Sequence, residues 1–308
     1  MHEYVEDCIM KMDKNKVKLG IAPIGWTNDD MPDLGKENTF EQCVSEMALA
    51  GFTGSEVGNK YPKDPTVLKP MLDIRGIRIA NQWFSSLFFS EDYDVTIASF
   101  HEQTDFLKAM DANIIGASEQ GNSIQGKDIP VLADKKPILN DDEWKLLAKG
   151  MNELGKIAYD KGMTLTYHHH MGTCVQSIAE TEKFLELTDP ELVFLLYDTG
   201  HFYFAGEDPL EALEMFYPRI KHVHLKDVRS NVLTEVKENN WSFLQAVRAG
   251  AFTVPGDGNI NFDPIFQTLS DEGYEGWMIV EAEQDPAKAN PFEYAKKARA
   301  FIREKTGL

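Results

Sequence analysis

Leu192-Val193-Phe194-Leu195-Leu196-Tyr197-Asp198-Thr199-Gly200-His201 is an uninterrupted apolar run that ends on an acid, a bend and an imidazole. A run this short and this apolar reads as a strand covered on both faces, which is the pattern of a parallel sheet flanked by helices. Three other apolar runs end the same way: Met163–His168 on His168-His169-His170, Ile220–Leu225 around His222-Val223-His224, and Trp277–Glu281 on Glu281-Ala282-Glu283. Together the four segments hold six of the eight histidines. Imidazoles and carboxylates gathered at successive strand ends are the donors a divalent cation needs, provided the strands lie side by side.

Moving outward, the alternation of strand and helix continues in both directions. Before the central run come strands at Lys18–Ile24, Gly54–Gly58, Ile77–Phe84 and Asn113–Glu119. Thr39-Phe40-Glu41-Gln42 places a capping hydroxyl at the start of one helix, and Asp208-Pro209 opens another. Helices are also expected at Thr66–Ile74, Tyr93–Met110, Asp141–Lys161, Ser177–Leu187, Asp263–Glu272 and Pro291–Lys305, with an insertion through Trp241–Asp257. Eight strand-then-helix units predict a (β/α)8 TIM barrel, a fold of about 250 residues with insertions allowed. The competing doubly wound sheet would carry G-x-G-x-x-G after its first strand, and this chain does not. Residues 17–308 are thus expected to form one barrel domain, with 1–16 as a flexible leader.

Composition narrows the partners. A net charge of -19, from 50 acidic against 31 basic residues, argues against a phosphate-backbone partner, which is bound through clustered Lys and Arg. No apolar run approaches the ~20 residues of a membrane span, and the polar first residues lack the apolar core of a signal peptide. The three cysteines, Cys8, Cys43 and Cys174, form no close pair, which suits a reducing cytoplasm. A small-molecule substrate is expected, with no nucleic acid and no membrane. The aromatic stretches Trp83–Phe89 and Trp241–Phe252 would either cover the barrel mouth or meet a second copy of the chain in a homo-oligomer.

In a TIM barrel the strand ends converge on one mouth. His222 and His224 are two apart and share a face, as do His168 and His170, and Glu281 and Glu283. Glu56 and Glu119, ending the second and fourth strands, also fall near the mouth. Each of these residues alone could be structural: a hydrogen-bonded histidine, a solvated loop or a helix cap. Four consecutive units presenting ligand-type residues at the same end favour a site.

Asp-Thr-Gly-His at 198–201, His-x-His-x-Lys-Asp at 222–227 and the acid Glu281 resemble the xylose-isomerase-like TIM barrels, which include sugar epimerases, hydroxypyruvate isomerase and endonuclease IV. The resemblance implies a mononuclear metal site with Asp198, His224 and Glu281 as ligands and His201 as a substrate-contacting residue. His168 stands where that superfamily carries a glutamate, so the fourth ligand is His168, His170 or a group from elsewhere.

A narrower resemblance spans nearly the whole chain. Lys18–Gly35, Phe40–Cys43, Ala48–Gly54, Glu56–Asn59 and Tyr167–Thr173 are similar to the myo-inosose-2 dehydratase family of inositol catabolism. It implies loss of water from 2-keto-myo-inositol (scyllo-inosose), a polyol ketone, to give a trihydroxycyclohexane-1,2-dione, with Mn²⁺ or Co²⁺ as metal; glutathione is also associated with that family. On this reading His201 is the first choice as general acid or base. Lys226 is either a base of lowered pKa or a fixed cation for an oxyanion. Trp26, Asn28, Glu56, Asn59, Glu119, His170 and His222 are candidates to shape the substrate pocket. A ketose isomerase or epimerase would use the same metal without losing water, and an abasic-site endonuclease would want a basic groove.

Overall fold

The computed structural model describes residues 12–308, and within them the parallel strands form a ring. The strands are β1 (Val17–Ile21), β2 (Gly54–Glu56), β3 (Arg78–Asn81), β4 (Trp83–Ser86), β5 (Ile114–Glu119), β6 (Thr164–His168), β7 (Val193–Asp198), β8 (Ile220–Leu225), β9 (Asp227–Val228), β10 (Phe252–Thr253) and β11 (Gly276–Val280). Their order in the main sheet is β3-β2-β1-β11-β8-β7-β6-β5-β4, every pair parallel. The two ends of that order, β3 and β4, are consecutive in the chain and separated only by Gln82. They are two halves of one broken strand, and the sheet closes through them into an eight-unit TIM barrel. The apolar run Ile77–Phe84, expected as one continuous strand, therefore changes partner midway: β3 pairs with β2 and β4 with β5. At the break the Gln82 carbonyl accepts from the Gly116 amide at 3.3 Å.

Local signals hold the surrounding helices. Thr39 caps the helix Phe40–Leu49 by accepting from the Gln42 amide, and Asp208 caps Pro209–Phe216. Ser177 and Glu180 form a reciprocal capping box on Ile178–Leu187. Behind β6 and β7, Tyr167 packs on Phe184 with ring centroids 4.1 Å apart, and Tyr197 reaches the Pro209 carbonyl at 2.7 Å. Buried aromatics of this kind contribute about 1.5–3 kcal/mol each and satisfy their hydroxyls as they do so.

Residues 1–11 of the expected leader lie outside the described residues. The remainder is held against the barrel. Met12 is buried with its amide on the Thr306 carbonyl, and Lys16 meets Glu275. The insertion after β8 carries two helices, Ser230–Asn239 and Phe243–Ala249, and a short antiparallel pair, β9 with β10. Phe243 and Phe252 are fully buried over the histidine cluster, so this stretch covers the site. Among the described residues no helix is long and apolar enough to cross a membrane.

Candidate active site

Because every strand runs in the same direction, the ends of β6, β7, β8 and β11 deliver their last residues to one place. His168 closes β6, Asp198 closes β7, His224 sits one residue before the end of β8, and Glu281 follows β11. One donor atom from each lies within 4.8 Å of the others. His168 Nε2 is 3.3 Å from Asp198 Oδ2, His224 Nδ1 is 3.5 Å from the same oxygen, and His224 Nδ1 is 2.7 Å from Glu281 Oε2. Two imidazole nitrogens and two carboxylate oxygens converging at hydrogen-bond distances suit a divalent cation of the zinc, manganese or cobalt type. The fit is one of donor chemistry and convergence.

The local chain makes the placement stiff. Asp198 also caps the helix Thr199–Ala205 by accepting from the His201 amide at 2.9 Å, so candidate ligand and cap are one side chain. Its own amide donates to His169 Nε2 at 3.2 Å, and the His169 ring stacks on Phe202. A side chain at Gly200 would sit 2.4 Å from the Lys226 stem, which explains the glycine in Asp-Thr-Gly-His.

Lys226 is wholly buried. Its ammonium lies 2.7 Å from Glu283, 3.0 Å from Glu281 and 3.4 Å from Asp198, and donates to His201 Nε2 at 2.9 Å. Burial alone would lower its pKa, but Asp198, Glu281 and Glu283 outweigh burial and raise it. Of the two roles the sequence left open for Lys226, this setting favours the fixed cation over the base of lowered pKa. Burial lowers His201 well below the usual range for an imidazole, with Asp198 opposing, so His201 is neutral and its Nε2 accepts a hydrogen bond from the lysine ammonium. Burial would raise Asp198, yet its neighbours hold it well below the usual carboxylate range. With His201 neutral, what holds Asp198 down is the charge of Lys226 together with hydrogen bonds from His168 and His224. Glu281 is likewise drawn down, to about 2, by Lys226 and His224 against burial.

A cavity of about 800 Å³ opens beside this cluster, a size that suits a small organic ligand. Glu56, Asn59, His170 and Glu281 line it as the sequence suggested, joined by Glu283, which shares a face with Glu281, and by Trp83 of the aromatic stretch; Asp30, Gln82 and Gln125 line it without having been expected. Burial lowers His170 to about 3, and its Nδ1 donates to the Met171 carbonyl, which leaves Nε2 as an acceptor. Glu283 is pushed up to about 7 by burial with Lys226 opposing. Its Oε1 is taken by Lys226, while its buried Oε2 has no partner among the described residues.

Nine of the thirteen expected site residues do not line the cavity: Lys226 and the donors His168, Asp198 and His224 lie buried behind it, and Trp26, Asn28, Glu119, His222 and His201 are engaged elsewhere. Trp26 is buried with its indole N–H on Glu46 at 2.6 Å, a packing role. Asn28 spends its oxygen on the amides of Asp30 and Met31, which shapes the loop carrying Asp29 and Asp30. Glu119 turns away to accept from Ser86 and from the amides of Phe88 and Gly121, and so organises the loop after β4. His222 is paired with Glu56 inside the barrel. His201 is fully buried behind His170, their ring centroids 3.8 Å apart, so it has no direct face on the cavity.

The xylose isomerase-like TIM barrel family matches this chain over residues 44–305. An inosose dehydratase of Clostridium perfringens is 60% identical over 297 residues, covering 96% of this chain and all 100% of that protein. Among solved structures, the IOLI protein with a bound zinc atom superposes with a TM-score of 0.71 at 15% identity, covering 94% of this chain and 100% of that one. A probable 3-DHS dehydratase, AsbF of Bacillus anthracis, superposes with a TM-score of 0.69 at 17% identity, over 92% of this chain and 98% of that one.

Proposed function

Because the chain belongs to the xylose isomerase-like TIM barrel family and, within it, to the inosose dehydratases, we propose that it is a hydro-lyase removing water from 2-keto-myo-inositol (scyllo-inosose) to give a trihydroxycyclohexane-1,2-dione. The observation that carries this reading is 60% identity across 96% of the chain. Asp198, His224, Glu281 and His168 would hold a divalent metal, Mn²⁺ or Co²⁺ by family resemblance, and that metal when bound supplies Lewis acidity toward the ketone oxygen. Glutathione rests on the family resemblance alone. The two free, buried cysteines in the described chain suit a cytoplasmic enzyme.

Dehydration takes a proton from the carbon beside the ketone and expels hydroxide from the next carbon. Two groups face the cavity in a state to move protons. Glu283, poised near neutrality with one free oxygen, can take a proton or return it. His170 presents a neutral acceptor nitrogen. Behind Glu283, Lys226 links to neutral His201, and this pair keeps a positive charge fixed where negative charge develops. Across the cavity, Asp29, Asp30 and Asn59 offer oxygens and an amide to the hydroxyls of a polyol rim.

The test is direct: incubate the Mn²⁺-loaded protein with scyllo-inosose and follow dione absorbance, with a chelated sample beside it. Dione formation that chelation abolishes is expected. Interconversion of ketose epimers with no dione would replace the reading with that of an isomerase or epimerase.

A further inference from the structure

We infer that Glu56 is the positioning residue that fixes the ring of His224, holding Nε2 protonated so that Nδ1 is presented to the metal. The inference deepens the metal-dependent reading above and rests on it. His224 lies between two carboxylates. On one side Nδ1 faces Glu281 at 2.7 Å and Asp198 at 3.5 Å; on the other, Nε2 faces Glu56 Oε1 at 2.9 Å. A neutral imidazole has one N–H and one lone pair, and a metal ligand must give the lone pair to the metal. Whichever nitrogen has a permanent acceptor keeps the proton. Glu56 is that acceptor, since its oxygen faces Nε2 from outside the four-donor cluster.

Glu56 is itself held from several strands. A register irregularity in the pairing of β2 with β3 sets Glu56 opposite Asn81. The Asn81 amide then donates to the same Oε1 at 2.8 Å, and its own oxygen accepts from the Gly116 amide at 2.7 Å, which fixes the direction of the amide. His222 Nε2 is 3.2 Å from Oε1 as well. The Asn81 amide and the Nε2 atoms of His224 and His222 all converge on that one oxygen. What remains is a chain from the backbone of β5 through Asn81 and Glu56 to His224, crossing the barrel interior and ending at the metal donors. A carboxylate in this position also raises the basicity of the ligating imidazole, which a neutral acceptor would do less well.

The experiment is Mn²⁺ titration calorimetry on chelated, refilled protein in the absence of substrate, comparing wild type with Glu56→Gln, alongside thermal unfolding of both metal-free proteins. The isosteric glutamine keeps the packing but removes the charge. Expected is a Kd for Mn²⁺ raised roughly 10–100-fold, the usual effect of losing an outer partner, with the metal-free melting temperature little changed. Equal affinity in the two proteins overturns the inference, as does a fall in metal-free stability with unchanged Kd, which would make Glu56 merely structural. If the glutamine protein does not fold, Glu56→Asp, which keeps the charge but is one methylene too short to reach His224, is judged by the same Kd criterion. Wild-type protein that binds no Mn²⁺ would sink the metal-dependent reading itself, a result separable from equal binding by both.

Discussion

The two sides of the site are built differently. On one side, behind the cavity lining, the candidate metal donors His168, Asp198 and His224 belong to barrel strands, and all three are buried. On the other side Asp29, Asp30 and Asn59 belong to loops that follow β1 and β2, and all three are open to the cavity. Strands fix their side chains through ladders on both sides, so the metal side has little freedom. The loop wall depends on fewer contacts: the Asn28 oxygen on two amides, and Gln125 donating to Asp30 at 3.1 Å. Reaction chemistry on rigid strands and substrate selection on loops is the division of labour this fold permits.

The largest break in that comparison comes from Asp198→Asn. Loss of the carboxylate charge from the four-donor set should weaken Mn²⁺ binding and dione formation by more than the ~10²-fold expected for an outer partner. Because an asparagine oxygen can still accept from the His201 amide, the cap of Thr199–Ala205 survives, and the melting temperature should move little. Asp198→Ala would add the lost cap, at about 1 kcal/mol. Metal content and turnover check the first claim, and full turnover in the asparagine protein would remove Asp198 from the site.

The same contrast explains what the sequence revealed. Strand-borne donors were legible because β7 and β8 are apolar runs whose last residues are forced to the mouth. Alternation failed where strands had already ended: β6 stops at His168 and β11 at Val280, so His170 and Glu283 are placed by loop geometry. The break at Gln82 left no trace, since Ile77–Phe84 reads as one apolar run. Residue type alone misled at Trp26 and Glu119, whose polar atoms had partners in Glu46 and in the loop after β4. Asp30 carries no periodic signal at all; only folding brings it opposite Glu281.

Asp30→Asn sharpens the comparison at intermediate size. A bond from a substrate hydroxyl to a charged oxygen is worth about 1.5–3 kcal/mol, so KM for scyllo-inosose should rise ~10-fold or more. Mn²⁺ affinity and kcat should stay within about twofold, because Asp30 lies outside the four-donor cluster. Steady-state kinetics at saturating Mn²⁺ decide it. A fall in kcat with KM unchanged would transfer Asp30 from selection to chemistry.

The smallest effect concerns Asp29 and tests whether the loop wall is under electrostatic strain. Burial raises its carboxyl to about 6, with the Asn59 amide opposing. In the unfolded chain the same group titrates near ~3.9. Between those values the folded state holds more proton than the unfolded state, so stability should fall as pH rises through the window and stay lower above it. Since the group is open to the cavity, water screens much of the penalty, and the change should be about 1 kcal/mol or less. Urea unfolding at several values between pH 4 and 7 measures it: the wild type should lose stability relative to Asp29→Asn as pH rises. Parallel curves would mean that the wall is relaxed. The acids facing the substrate would then be held ionised at no cost to the fold, as Asp198 and Glu281 are held by Lys226.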